Sequence, residues 1–185
     1  MENELRSTVR ALLGEHLGAE HGQPDAELVG KLAGQLGALG YLDAGAPVAA
    51  GGLGLAGDCV VLTETARHWG SLAMALAPRL LAAHAYGRDA VAGTEALDWG
   101  LTLPAGPALV LNGATARRVV LPAGPPGVLR DGAEPLEFDG FRELSVVTGN
   151  VTQAHGPAAE PGTGALLRVL LTAVAAGTAR GAPAA

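Results

Sequence analysis

The segment LGALGYLDAGAPVAAGGLGLAGDCVVLTETARHWGSLAMAL, residues 36–76, decides between two folds, because a glycine motif stands directly before a strongly helical stretch. The run GLGLAG (52–57) has the G-x-G-x-x-G spacing that holds a dinucleotide pyrophosphate at a helix N-terminus. That fold also needs a buried strand before the motif and an acidic residue about 20 positions after it. Gly45 and Pro47 interrupt any such strand, and the residues around position 77 include no carboxylate. We therefore interpret the glycines as a loop ahead of a helix.

The composition excludes several classes of protein. Hydrophobic residues make up 49% of the 185 residues but aromatic residues only 3%, so a core must be built from Leu, Val and Ala. The net charge of −6 and the single lysine, Lys31, exclude a phosphate-binding basic patch and hence nucleic-acid binding. The single cysteine, Cys59, forms no internal disulfide and fits a reducing compartment. We find no signal peptide and no apolar run of about 20 residues, so we expect a cytoplasmic protein that binds no membrane.

Residues 1–96 are predicted to form an N-terminal helical domain. Leucine and valine recur at helical spacing in four stretches with short connections, which is typical of a small bundle. Asp58 is placed to favour the positive end of the third helix. Ser71 is a candidate cap for the fourth helix, and Pro78 within that helix predicts a kink.

Residues 97–152 change to short β-rich runs separated by Gly and Pro, which predicts a small antiparallel β domain with a hairpin at Asn112-Gly113. Residues 153–164 are interpreted as a linker, and residues 165–185 as an apolar helix with a short tail. The predicted fold class is therefore α+β: an N-terminal helical bundle, then a small antiparallel β domain, then a C-terminal apolar helix.

The closing helix is apolar on nearly all sides, so it needs burial on several of them. Leaving about half of each large side chain exposed would cost on the order of 1 kcal/mol apiece. Because no later segment covers it, three docking places are open: a second copy, a full-length homologue, or the helical domain of the same chain. The first two predict an oligomer.

The order of these features resembles the acyl-CoA dehydrogenase family. The strongest part is residues 36–76, with P-x-x-x-G-G-L-G before a helix that carries a Glu and an Ala-Arg pair. LVLNG (109–113) and FDGFRELSVV (138–147) resemble strands of the family's middle domain, and LLRVLLTAVAAGTA (166–179) resembles the start of its first C-terminal helix. In that family the glycine loop shapes the beginning of a helix and the flavin is held elsewhere.

The chain also departs from the family pattern. Relatives carry a T-E-x-x-x-G-S-D-like segment, whereas Thr94-Glu95 is followed by no G-S-D, and no tryptophan follows Trp99. The family's C-terminal bundle supplies the catalytic glutamate, much of the flavin site and the oligomer interface, and this sequence stops within its first helix. The resemblance therefore implies a truncated, flavin-free pseudoenzyme: a non-catalytic subunit or partner that docks through its terminal helix on itself or on a full-length homologue. We expect no cofactor in this chain, and FAD only with a partner subunit.

Glu64 and His84 are the candidate catalytic residues, because removing a proton next to a thioester needs a carboxylate or an imidazole in a dry cleft. Each also has a structural alternative. Glu64 could pair with Arg67 one helical step away, and His84 could be a partly exposed helix residue. No histidine has the spacing of a metal ligand, so no metal site is predicted.

Arg117 and Arg142 are the candidate ligand contacts. Arg142 could reach an anionic ligand, or could pair with Asp139 and fix a turn. Arg117 could meet a coenzyme A phosphate, or could lie on a solvated strand edge. These contacts leave two further functions open, both in the cleft between the helical and β domains: a small non-redox enzyme of cyclase or isomerase type, or a module that binds an acyl thioester without reacting it.

Overall fold

The apolar periodicity of the first 90 residues produces helices, and the β-rich runs after them produce one sheet. The computed structural model describes residues 1–17, 26–103, 108–113, 115–121, 123–129, 134–135 and 146–181. Its helices in chain order are α1 (Glu2–His16), α2 (Ala26–Ala38), α3 (Leu55–His68), α4 (Gly70–Tyr86), α5 (Arg88–Val91) and α6 (Thr163–Gly181). Its strands are β1 (Trp99–Leu103), β2 (Ala108–Leu111), β3 (Arg118–Val120), β4 (Gly127–Leu129), β5 (Glu134–Pro135), β6 (Val146–Gly149) and β7 (Val151–Gln153).

The mixed helix-and-sheet class and the four predicted N-terminal helices are confirmed. Two single-turn 3-10 helices, Tyr41–Asp43 and Val48–Ala50, shape the glycine-rich connection between α2 and α3. The predicted cap is wrong: α4 begins at Gly70 after an extended Trp69, and Ser71 lies inside the helix. Pro78 lies in the interior of α4, and the kink there stays a prediction.

The sheet has the strand order β5-β6-β2-β1-β3-β4-β7. Its pairs are antiparallel, as predicted, except that β1 and β3 run parallel, with Gly100 opposite Val119. The predicted hairpin is therefore wrong, because β3 does not pair with β2. Asn112 does adopt a positive φ of 58°, but its side chain donates to the carbonyls of Ala75 at 2.7 Å and Trp99 at 3.3 Å. These bonds fix the turn against α4 and direct the chain to the far side of β1.

One apolar core joins the helices to the inner face of the sheet. Alternate strand residues point to opposite faces, so Trp99, Leu101 and Leu111 enter the helical core. Val110 and Val119 lie on the other face, in a smaller cluster. The helices and the sheet therefore share one core, which extends across the predicted domain boundary at residue 96.

Helix α6 packs on its own chain, against α3 and α4. Leu170 and Val174 are buried, and a Cβ on Gly177 would collide with the backbone carbonyl of Thr63, so the two helices are in backbone contact there. Of the three docking places left open by the sequence, the structure shows the third. Helices earlier in the chain thus cover the buried face of α6, and docking of this helix on a second copy or on a full-length homologue stays a prediction.

The segment before α6 is also held to the body of the chain. The amide of Ala159 donates to the carbonyl of Gly124 at 2.7 Å, and that of Glu160 donates to the carbonyl of Ala85 at 2.8 Å. These bonds fix the direction in which α6 returns to the helices.

Candidate functional site

Glu64 ties the first helix to the third. It exposes 2% of its surface, and it accepts hydrogen bonds from Arg6 at 2.5 Å and from Arg10 at 3.0 and 3.2 Å. The partners are therefore two arginines of α1 rather than Arg67. Both carboxylate oxygens are occupied by charged donors.

The electrostatics of Glu64 suit a structural anion. Burial works to raise the pKa of Glu64, but the hydrogen bonds from Arg10 and Arg6 outweigh it and hold that pKa below its ordinary value. A carboxylate with both oxygens bound and a lowered pKa is a poor proton acceptor. The structural role of Glu64 is to hold α1 against α3.

His84, the second candidate, pairs with Asp58. From the sequence, Asp58 was expected only to stabilise the start of the third helix. Nε2 of His84 donates to Oδ2 of Asp58 at 2.7 Å. Asp58 is 2% exposed, and its Oδ1 is buried without a hydrogen-bond partner among the described residues. The imidazole keeps about a fifth of its surface exposed, in a pocket of about 340 Å³ beside the connection between α2 and α3.

A larger cleft of about 720 Å³ lies between the helices and the start of the sheet. One wall is a face of α2 formed by Gly30, Gly34 and Gly37, which stand three and four residues apart and so share one side of the helix. The opposite wall is the turn 94–98 before β1, with Thr115 from the turn before β3. A Cβ on Gly30 or Gly34 would touch nothing within 4 Å, so the glycines leave this space open rather than permitting a close helix contact.

Arg79 of α4 brings a buried positive charge to the cleft. It is 8% exposed, and its guanidinium donates to the carbonyl of Leu42 at 3.1 Å and lies 3.8 Å from the carboxylate of Asp43. Its buried Nε has no partner among the described residues. Burial lowers the pKa of Arg79, and the carboxylates of Asp43 and Asp58 oppose that shift. Sequence reasoning missed Arg79, although a lone arginine within the apolar run ALAPRLLAA was the available signal.

Arg117, the first candidate ligand contact, lines the same cleft. Its side chain is 78% exposed, and its Nε lies 3.5 Å from Asp98, whose other oxygen accepts from the amide of Glu95 at 2.9 Å. Asp98 thus orders the turn and holds Arg117 at the mouth of the cleft. The structure brings Arg117 and Arg79 to one cavity, but places Glu64 and His84 elsewhere. Arg142 lies outside the described residues, as does Asp139.

Trp99 is committed to the core and offers no ring face to a flavin. It is fully buried, stacks on Tyr86 with ring centres 5.8 Å apart, and has the Arg118 guanidinium 5.7 Å from its ring centre. The ring of Trp99 therefore belongs to the core that joins the sheet to the helices.

Within the described ranges, no three His, Cys, Asp or Glu side chains are grouped closely enough to hold a metal ion. None of the described helices is both long and apolar enough to cross a bilayer.

Comparison with known proteins identifies the family. The model of the acyl-CoA dehydrogenase N-terminal domain matches residues 1–94, which is more than half of the chain. The chain therefore belongs to the acyl-CoA dehydrogenase family. No curated protein matches the sequence significantly.

Among solved structures, the chain is similar to a variant of the Tcur3481-Tcur3483 steroid ACAD, an acyl-CoA dehydrogenase. The two share 22% sequence identity with a TM-score of 0.62, over 97% of this chain and 63% of that chain. This likeness shows the fold, and the chain spans less than two thirds of that protein chain's length.

Proposed function

We propose that this protein binds an acyl thioester in the cleft between α2 and the turn 94–98 and does not oxidise it. The observation that supports the proposal most strongly is the glycine face of α2, which keeps a cavity of about 720 Å³ open beside Arg79 and Arg117. Cavities of roughly 300–1,000 Å³ with apolar walls and a few placed polar groups are typical of small-molecule sites.

The lining matches the two chemical halves of an acyl thioester of coenzyme A. Leu42, Ala96 and Leu97 supply apolar surface for an acyl chain. Arg117 stands exposed at the mouth, where a guanidinium can bind a phosphate through paired hydrogen bonds. Arg79, deeper in the wall, provides a fixed positive charge for a polarised carbonyl oxygen.

The absence of oxidation is part of the proposal. The buried and stacked Trp99 leaves the described sheet without the family's flavin contact. Glu64, the carboxylate best placed by sequence to act as a base, is held by two arginines. Purified protein should therefore show no flavin absorbance, and a stoichiometric yellow colour would contradict this part.

Binding is tested by isothermal titration with a medium-chain acyl-CoA, with the acyl chain followed for turnover. We expect saturable binding at one site without reaction, weakened roughly tenfold by Arg117→Gln, because one charged hydrogen bond contributes about 1.5 kcal/mol or more. Arg168 is also an exposed arginine, but it lies on α6, outside the cleft. Arg168→Gln should therefore leave the affinity unchanged. Equal affinity in all three proteins would place binding elsewhere, and no binding would reject the proposal.

A second candidate function is that of a non-catalytic subunit. It is favoured by α6 beside its buried stripe, where Val169 is 42% exposed on one flank, and Leu167 and Leu171 are half-buried on the other. The solved structure with the similar fold names two proteins, Tcur3481 and Tcur3483, in one steroid ACAD. We propose that the flank of α6 that carries Val169 contacts a full-length homologue.

Light scattering after size exclusion tests the second candidate. Mixing with a full-length homologue from the same cells should give a species with the mass of both chains, and Val169→Arg should abolish it. A monomer under every mixture would reject the subunit function without affecting ligand binding in the cleft.

A further inference from the structure

The pocket that holds His84 lies apart from the cleft. His84 and Arg79 are both on α4, but five residues apart, which places them about 140° apart around the helix. The pocket is lined by Gly45, Gly54, Ala83, Gly87 and Arg88, with Pro47. It is thus a separate cavity on the opposite side of α4.

The carboxylate of Asp58 stands directly behind the wall of this pocket. A Cβ on Gly45 would overlap both oxygens of Asp58, so the glycine lets the backbone lie against the carboxylate. Nε2 of His84 donates to that carboxylate at 2.7 Å, which leaves Nδ1 as the acceptor when the ring is neutral. In this tautomer Nδ1 carries a free lone pair, and no other described residue hydrogen-bonds to it.

The carboxylate of Asp58 also has a second charged neighbour. It interacts electrostatically with the buried guanidinium of Arg79, which approaches from the other side of α4. Asp58 therefore lies between a guanidinium and the imidazole that it orients.

We propose that His84 and Asp58 form a proton-transfer site for a small oxo acid bound in this pocket. The described lining offers an imidazole and one arginine, but no hydroxyl, thiol or amine nucleophile. A reaction that needs only a base is tautomerisation: a proton leaves the carbon next to the oxo group for Nδ1, a carbon–carbon double bond forms, and the oxo oxygen takes the negative charge. Arg88 is the arginine of this lining that would bind the carboxylate, and its guanidinium also donates to Oδ1 of Asp43 at 3.3 Å and to the carbonyl of Asp43 at 3.1 Å.

Reactivity towards diethyl pyrocarbonate, resolved by mass spectrometry at each histidine, tests the state of the ring. A neutral ring oriented by Asp58 reacts through Nδ1, so Asp58→Asn should slow modification of His84 roughly tenfold or more, by analogy with loss of the orienting carboxylate in other Asp–His pairs. His155, exposed in the same chain, is the internal reference, and Asp89→Asn is the matched exposed control. If the pair is only a structural salt bridge, Asp58→Asn removes the carboxylate that holds a proton on the ring, so the ring loses that proton and modification becomes faster, which overturns the proposal.

Deuterium exchange into the methyl group of pyruvate, followed by proton NMR, tests the reaction. The wild-type protein should accelerate the exchange over buffer, His84→Gln should remove the acceleration, and His155→Gln should retain it. Arg88→Gln should raise the pyruvate concentration needed for half-maximal rate. Equal exchange with wild type and His84→Gln would also overturn the proposal, whatever acyl-CoA does in the cleft.

Discussion

The glycine face of α2 gives the most discriminating perturbation, because it is expected to change stability and ligand binding in opposite directions. Gly34 lies in the interior of α2, is exposed, and has open space where a Cβ would stand. Replacing an interior helix glycine with alanine gains about 1 kcal/mol from helix propensity. In a domain of this size that corresponds to about 2–4 °C in Tm.

Gly34→Leu extends the same change into a larger side chain that enters the cleft. Since nothing within 4 Å obstructs the new Cβ, we expect the folded state to keep its stability while the acyl-CoA site loses room. Gly14 is the matched control, because it is an exposed glycine of α1 with equally open space and no part in the cleft lining. Circular dichroism melts and isothermal titration on the alanine and leucine variants at both positions measure both effects.

The contradictory results are specific. A large loss of stability in Gly34→Ala would mean that the α2 face is packed rather than open. Full acyl-CoA affinity in a folded Gly34→Leu protein would mean that the ligand does not use this wall. Loss of affinity in Gly14→Leu as well would show an indirect effect of helix substitution.

Other consequences arise from the packing. Glu64→Gln should lower the free energy of unfolding at neutral pH by about 2 kcal/mol, less than for a fully buried pair because its arginine partners keep contact with water. Since the pKa of Glu64 is lowered in the folded state, its stabilisation is present above the ordinary glutamate pKa of about 4.3 and is lost as the pH falls below it; urea unfolding across this range should show a shallower acid loss in the variant. Leu170→Ala should cost about 2–5 kcal/mol by urea unfolding, whereas the exposed Val169→Ala should stay within about 0.5 kcal/mol. Gly177→Val should release α6, seen as faster amide exchange in residues 163–181, and unchanged exchange would contradict backbone contact with α3.

Local patterns in the sequence predicted the helices because periodic burial is a property of consecutive residues. The stripe that includes Val9 and Leu13 indicated α1, and both residues are fully buried. Contacts between residues that lie far apart in the sequence could not be predicted from such local patterns. The bond between Glu64 and Arg6 joins residues 58 apart in the sequence, and the pattern offered the nearer Arg67 instead.

The sheet shows the same limit. Of the pair Asn112-Gly113 only Asn112 adopts a positive φ, and its side chain bonds to α4 and redirects the chain, so that β3 pairs with β1 in parallel. The packing of α6 shows a related limit. The helices that cover it, α3 and α4, come about a hundred residues earlier in the chain, so the residues next to α6 carry no signal of this contact.

The cleft itself was predicted only as a general location. Arg117 was a candidate because an arginine at a predicted strand edge could meet a phosphate, and the structure places it at the cleft mouth. The glycines of α2 were not recognised as part of a site, because glycine has no side-chain functional group that indicates binding. Only the position of Arg79 and the turn 94–98 opposite them turns that face into the wall of a cavity.

Hydrogen–deuterium exchange with and without a medium-chain acyl-CoA tests the binding function most directly. We predict that ligand slows exchange in α2, in residues 94–98 and in residues 115–117, and leaves α6 unchanged. Slowed exchange confined to α6, or no change anywhere at saturating ligand, would contradict an acyl-thioester site between α2 and the sheet.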